Sequence, residues 1–196
     1  MPSYKDICGV ILAGGKNSRY GSNKAFARVN GVPLIERVIE VLRVVFKEII
    51  LITNTPDEYA YLGLPMHRDI IKNIGPLGGI HAGLSFMSHS RGFFVACDMP
   101  YLSEDLIRYM ARNMGTFSAV VPRISWKIEP LHALYDKKCL ASVKQLIACG
   151  TNQIVQFFDN ISVRYVEEDE IRRFDPELIS FFNVNTPKQL WRTKSR

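Results

Sequence analysis

The sequence comprises 196 residues, of which 47% are hydrophobic and 22% are charged, with a formal net charge of +6. This length and composition are typical of a soluble globular protein with a substantial core, and we expect one domain over residues 1–196. The lysines and arginines are scattered, without the basic runs and interleaved aromatic side chains of a nucleic-acid-binding surface. No apolar run approaches the roughly 20 residues that span a bilayer. Neither a nucleic acid nor a membrane is therefore expected as a partner.

The four cysteines (Cys8, Cys97, Cys139 and Cys149) form no CxxC pair and lie mostly in apolar stretches. This pattern is typical of buried free thiols in a reducing compartment. The first residues of the sequence lack the long apolar core of a secretory signal peptide. We therefore expect a cytoplasmic protein.

Hydrophobic spacing predicts strands that alternate with helices along the chain. In chain order the predicted elements are a strand at 7–12, a helix at 33–46, a strand at 48–53, a short helix at 57–62, a loop at 72–80 leading into a helix at 80–88, a strand ending near Cys97, a helix from the capping residue Ser103 to 113, strands at 118–121 and 131–135, a helix at 138–149 ended by Gly150, a strand at 161–166, and a last helix opened by Thr186 and Pro187. Such alternation favours an α/β fold, a mostly parallel sheet with helices on both faces.

In a sheet of this kind, ligands bind beyond the carboxyl ends of the strands. That rule singles out the loop after Leu12, the segment 53–69 and the acid after Cys97. The chemistry of these places therefore bears most directly on function.

The loop after Leu12 belongs to the stretch LAGGKNSRYGSNKA at 12–25, which contains three glycines and no carboxylate. Glycines allow the backbone to approach a ligand and to aim N–H groups at it. Arg19 and Lys24 add the positive charge that a polyphosphate needs. The spacing matches neither GxxxxGK[ST] nor GxGxxG. A solvated connection with incidental charges is the alternative interpretation.

Asp98 follows the apolar stretch FFVAC and precedes Pro100 by two residues. A carboxylate at the end of a buried strand is suited to Mg²⁺, which prefers oxygen ligands and phosphates. Alternatively, Asp98 caps or turns the following segment. Together with a cationic glycine loop at the same sheet edge, it indicates nucleotide chemistry.

The stretch at 12–25 resembles the LAGGxSxRMGxDK signature of nucleotidyltransferases of the molybdenum cofactor guanylyltransferase family. The similarity continues in family order with NGVPLIERV at 30–38, GPLGGI at 75–80, CDMP at 97–100, PLHALY at 130–135 and FFNVNTP at 181–187. Two positions depart from the signature, since Tyr20 replaces the usual Met and Asn23 replaces the usual Asp. The second change leaves the loop more positive.

The resemblance implies a Rossmann-like nucleotidyltransferase fold and the transfer of GMP from Mg-GTP to the terminal phosphate of molybdenum-molybdopterin, with release of pyrophosphate. It implies Mg²⁺ as cofactor, and GTP and molybdenum-molybdopterin as substrates. Proteins that deliver molybdopterin or mature molybdoenzymes are further candidate partners.

Carried over position by position, the resemblance makes Lys24, Arg19 and Asp98 the catalytic candidates, with Asp98 as the metal ligand. The residues that it assigns to the nucleotide and pterin sites are Leu12, Ala13, Gly14, Gly15, Lys24, Asp69, Gly79, Asp98, Asn183 and Asn185. The loop at 75–79 is expected to close over the base or ribose, and Asn183 and Asn185 to face the pterin.

His132 is predicted to be structural, because a phosphate nucleophile is already ionised and needs no general base. The backbone at 12–15 and 75–79 offers donors and acceptors for guanine, so we expect GTP to be preferred over CTP and ATP. Two alternatives stay open. One is a transferase that uses CTP on molybdopterin, or another nucleotide on a sugar or lipid phosphate, and the other is a non-catalytic nucleotide- or pterin-binding protein.

Overall fold

The computed structural model describes residues 4–14, 23–151 and 153–184. Its strands are β1 Tyr4–Leu12, β2 Arg28–Val29, β3 Val32–Pro33, β4 Phe46–Ile52, β5 Met66–His67, β6 Arg91–Ala96, β7 Ala119–Ile124, β8 Lys127–Ile128, β9 His132–Asp136 and β10 Val163–Glu167. Its α-helices are α1 Leu34–Val45, α2 Pro56–Tyr59, α3 Pro76–Phe86, α4 Glu104–Arg112, α5 Cys139–Ala148 and α6 Glu168–Ile171. Short 3-10 helices cover Lys24–Phe26, Ala60–Leu62, Ile154–Asn160 and Ile179–Phe181. The predicted last helix lies outside the described residues.

The main sheet has the strand order β10-β7-β9-β6-β1-β4-β5, with β8 paired to β7. β1 runs parallel to both of its neighbours, with Leu12 level with Ile52 of β4 and Ala96 of β6. β9 is antiparallel to β6 and β7. The predicted mostly parallel sheet is confirmed, and the carboxyl ends of β1, β4 and β6 meet at one edge.

Helices cover both faces of this sheet, as predicted. Successive side chains of a strand point to opposite faces, so Ile7 and Ile11 of β1 pack in the core cluster that contains the buried residues of α1 and α4. Val10 and Leu12 pack in the other cluster, with α3 and α5. Burial on both faces explains why β1 is apolar at nearly every position after Asp6.

Two helix ends follow the chemistry that the sequence predicted. The Ser103 hydroxyl accepts a hydrogen bond from the Leu106 N–H at 3.2 Å and so caps α4. After α5, Gly150 has φ +77°, a conformation that glycine adopts without strain. These ends depend on local contacts, which is why short sequence patterns found them.

The start of α3 differs from the prediction, because the helix begins at Pro76 rather than at Ile80. Gly75 precedes it with φ +62° and ψ −149°, a backbone conformation that is essentially restricted to glycine. Each glycine lowers the stability of a helix by about 1 kcal/mol relative to alanine, so the glycine-rich sequence predicted a loop here. A Cβ on Gly79 would lie 3.2 Å from Leu12 Cδ2, which explains the glycine there, and burial of Leu77 and Ile80 against the sheet explains the helix. The predicted closing loop at 75–79 is therefore wrong for Pro76–Gly79.

The cysteines in the described part of the chain are all free. Cys8 and Cys139 are buried as predicted, Cys97 is partly buried, and Cys149 is exposed, which corrects the expectation for that residue. In the same part of the chain, every helix is too short or too polar to cross a lipid bilayer.

Candidate active site

The backbone beyond β1 joins three strands at the carboxyl edge of the sheet. The Ala13 N–H donates to the Ile52 carbonyl at 2.9 Å, and the Cys97 N–H donates to the Leu12 carbonyl at 3.2 Å. Leu12 and Ala13 therefore lie beside the segment that carries Asp98.

Gly14 follows at the same edge and is exposed. A Cβ at this position would have no atom within 4 Å, so nothing in the described structure requires glycine there for packing. The open space leaves room for a ligand against the backbone. Three other candidates, Gly15, Arg19 and Asn185, lie outside the described residues, as does Tyr20.

Lys24 opens the 3-10 helix Lys24–Phe26. Asn23 caps this helix, because its Oδ1 accepts a hydrogen bond from the Ala25 N–H at 3.2 Å. The Lys24 ammonium acts electrostatically on Asp98 and Cys97. The tertiary structure thus brings the motif at 12–25 and the CDMP motif at 97–100 together, across more than seventy residues of chain.

Asp98 is partly buried where β6 ends. Burial raises the pKa of its carboxyl group above the ordinary value, and the Lys24 ammonium acts in the opposite direction. A partly desolvated carboxylate of this kind gains most from a bound cation. The carboxylate is therefore the strongest candidate cation ligand at this edge.

A cavity of about 290 Å³ opens beside Asp98. Asn183, Glu129 and Pro76 also line it. The Val184 N–H donates to the Asp98 carbonyl at 3.1 Å, which ties the FFNV segment to the end of β6. Asp98 and Asn183 are thus gathered around one cavity.

The described residues contain no group of three or more His, Cys, Asp and Glu side chains that could hold a metal by themselves. Mg²⁺ differs from transition metals in this respect, because one or two carboxylates, substrate phosphates and water often complete its coordination. The desolvated oxygen ligand of Asp98 fits such a shared site.

Asp69 lies after β5, beside the start of α3. Its carboxylate accepts a hydrogen bond from the Asn54 side-chain amide at 2.8 Å, and its N–H donates to Asn54 Oδ1 at 3.2 Å. A Cβ on Gly78 would lie 3.7 Å from the Asp69 carboxyl carbon. The structure thus gives Asp69 a structural partner and gives Gly79 a packing role against Leu12.

Glu129 is a candidate that the sequence analysis missed. Its backbone N–H donates to the Pro122 carbonyl at 3.0 Å, and burial raises the pKa of its side chain. Because β9 is antiparallel to β6, the residues that precede β9 arrive at the edge where β6 ends. The rule used in the sequence analysis considers only the residues that follow each strand, so it cannot find a side chain that precedes an antiparallel strand. The only signal for Glu129 in the sequence is an acid next to Pro130.

His132 lies in the core, with its ring 5.1 Å from that of Phe93 and 4.8 Å from that of Phe181. Burial lowers the pKa of His132 to about 3, so the imidazole is neutral at physiological pH. Its position agrees with the structural role predicted for it.

Comparison with known proteins shows the family of this chain. Residues 9–164 match the model of the MobA-like NTP transferase domain. The chain is 37% identical over 182 residues to a "Probable molybdenum cofactor guanylyltransferase" of Pelotomaculum thermopropionicum, covering 93% of this chain and 89% of the relative. It is 34% identical over 186 residues to the molybdenum cofactor guanylyltransferase of Desulfosudis oleivorans, covering 94% and 92%.

A solved structure shows the same architecture. The crystal structure of molybdopterin-guanine dinucleotide biosynthesis protein A from Archaeoglobus fulgidus superposes with a TM-score of 0.82 at 27% identity, covering 96% of this chain and 97% of that chain. The resemblance inferred from the motifs and the Rossmann-like nucleotidyltransferase fold are confirmed. The chain is a nucleotidyltransferase that belongs to the MobA-like NTP transferase family.

Proposed function

We propose that this protein transfers GMP from Mg-GTP to the terminal phosphate of molybdenum-molybdopterin. We also propose that residues 1–196 form a single nucleotidyltransferase domain. The observation that carries the proposal is the cavity that Asp98 and Asn183 line together at the carboxyl edge of the sheet, where the Lys24 ammonium also acts to lower the pKa of Asp98. The relatives from Pelotomaculum thermopropionicum and Desulfosudis oleivorans carry the name of this activity.

The reaction forms a bond between a phosphate oxygen of the acceptor and the α-phosphorus of GTP. The bond between the α-phosphorus and the oxygen that links it to the β-phosphate breaks, and that oxygen leaves with the electron pair as part of pyrophosphate. Two anions must approach each other, so positive charge at the site contributes most of the catalysis. Lys24 would supply part of that charge, and Arg19 is proposed to supply more. The acceptor phosphate is already ionised, so neither His132 nor another base is needed.

Asp98 would hold Mg²⁺ together with the triphosphate. A bound Mg²⁺ would neutralise phosphate oxygens and stabilise the leaving pyrophosphate. Because burial already raises the pKa of Asp98, replacing its lost hydration by a cation is favourable. Asn183 would face the acceptor from the same cavity.

For the base, we propose recognition by backbone groups at 12–15 and at 75–79, where α3 begins. Residues 77–79 are buried and the Gly78 N–H already donates to the Gly75 carbonyl at 3.1 Å, whereas Gly75 and Pro76 are exposed, so we assign contact with the base to the backbone at Gly75. The open space beside Gly14 supports access of a nucleotide to the β1 backbone. GTP is accordingly expected to bind more tightly than CTP and ATP.

The test measures pyrophosphate release from GTP, CTP and ATP with Mg²⁺ and molybdenum-molybdopterin. We expect release with GTP that depends on the acceptor, and a rate at least about tenfold lower with the other nucleotides. Faster release with CTP would move the protein to a cytidylyl activity. Nucleotide binding without pyrophosphate release in the presence of any acceptor, including sugar phosphates, would identify a binding protein instead.

A further inference from the structure

Asn23 stands where the family signature carries Asp, and each polar atom of its side chain has a partner. Oδ1 accepts a hydrogen bond from the Ala25 N–H at 3.2 Å. Nδ2 donates to Glu58 Oε2 at 2.7 Å and to the Tyr59 hydroxyl at 2.8 Å. An aspartate could accept from Ala25 but could not donate to Glu58. The amide is therefore matched to a carboxylate on α2.

α2 and the 3-10 helix Ala60–Leu62 that follows it pack against the turn that carries Lys24. The Phe26 ring lies 5.0 Å from that of Tyr59 and 6.3 Å from that of Tyr61. Tyr59 is only 1% exposed and Ala25 is fully buried, so both sides of this contact are anchored in the core. Lys24 is the first residue of the turn, and its carbonyl accepts from the Ala27 N–H at 2.9 Å. Movement of α2 relative to Asn23 would therefore displace Lys24.

The acid–amide pair also places a carboxylate close to position 23. Position 23 itself lacks the signature's carboxylate, but the Glu58 carboxylate lies within hydrogen-bond distance of the Asn23 amide. An acid is therefore present beside the start of this turn, although it belongs to α2 and not to position 23.

We propose that Asn23 and Glu58 form an acid–amide pair that positions Lys24 toward the triphosphate. Both are positioning residues, and the proposal rests on the function proposed above for Lys24. Tyr59 fixes the pair to the core through its hydroxyl.

A double-substitution cycle tests the pair. Asn23→Asp sets two carboxylates against each other and removes a donor to a charged group, which should displace Lys24, so kcat/KM for GTP is expected to fall at least about tenfold. Combining it with Glu58→Gln lets the new glutamine amide donate to the new carboxylate. This exchanged variant should return to within about threefold of the wild type.

The readouts separate positioning from folding. Thermal unfolding is measured for each variant, and Asp57→Asn, on the same helix, is the control that should leave turnover unchanged. Wild-type turnover in a folded Asn23→Asp variant would overturn the proposal. So would an exchanged variant that regains the wild-type unfolding temperature but not kcat/KM, because the pair would then be structural only.

The outcome is also distinct from failure of the proposed reaction. Wild-type protein that binds GTP without releasing pyrophosphate would overturn the reaction, and the cycle is then measured on the dissociation constant for Mg-GTP. An unchanged constant in folded Asn23→Asp would overturn the pair alone. Wild-type protein that binds no GTP would overturn both.

Discussion

The two edges of the sheet each carry charged residues around a cavity, but the pKa values of their carboxyl groups are shifted in opposite directions. At the amino ends of the strands, a cleft of about 510 Å³ is lined by Lys5, Arg43, Lys47, Glu48 and His89, among others. It is larger than the cavity of about 290 Å³ beside Asp98. Neither size nor the number of cations therefore distinguishes the candidate active site.

The carboxylates do distinguish the two edges. Burial raises the pKa of Glu48, but hydrogen bonds from the Ser88 hydroxyl at 2.6 and 2.8 Å and the nearby His89 more than offset this, so its pKa is lowered. The pKa values of Asp98 and Glu129 are raised, because burial outweighs their interactions with Lys24 and Lys127 respectively. A carboxylate that the protein has desolvated without full compensation is a better sign of a ligand site than a large basic cleft.

The largest expected effect is that of Asp98→Asn, which removes one charge and little volume. Turnover should fall at least about 100-fold, the scale of losing a key electrostatic stabiliser, while the protein stays folded. Glu48→Gln is the matched change at the other edge and should leave turnover within about twofold. Steady-state pyrophosphate release and thermal unfolding measure both variants. Near-normal turnover in folded Asp98→Asn would exclude the proposed metal ligand, and loss of folding would favour a structural role.

The second test compares lysines at the two edges. Lys24→Ala should reduce kcat/KM for GTP by at least about tenfold, because a cation that offsets phosphate repulsion is lost. Arg19→Ala should have a smaller effect, and Lys47→Ala, in the amino-edge cleft, should have none. Equal and small effects of Lys24→Ala and Arg19→Ala would mean that the charge near β1 is only a solvated surface feature.

The smallest expected effect is on stability and has opposite signs at the two edges. A carboxyl group whose pKa is raised in the folded state stabilises the protein below its ordinary pKa, and this stability is lost as the pH rises through the folded value. At pH 7 the ionised Glu129 therefore destabilises the fold, and Glu129→Gln should raise the unfolding temperature. A lowered pKa gives stability above the ordinary pKa that is lost as the pH falls through the folded value. Glu48→Gln should therefore lower the unfolding temperature at pH 7. Each shift should be no more than about 4 °C by calorimetry, and shifts of the same sign would contradict the comparison.

Several features could be predicted from the sequence because they depend on nearby residues or on a general rule of sheet geometry. Hydrophobic periodicity indicated the alternating strands and helices, and Ser103 indicated the start of α4. The rule that ligands bind beyond the carboxyl ends of parallel strands placed the β1 loop and Asp98 at one edge. The order of the motifs indicated the family.

Other features were decided only by contacts between distant parts of the chain. The antiparallel direction of β9 delivers Glu129 to the Asp98 edge, and burial of Leu77 and Ile80 against the sheet stabilises a glycine-rich segment as a helix. The Asn23 amide donates a hydrogen bond to Glu58, which is 35 residues away, so its role depends on a distant part of the chain. Local propensities determine which elements form, whereas burial and long-range pairing determine the charge state and orientation of each side chain, and these exist only once the elements have packed.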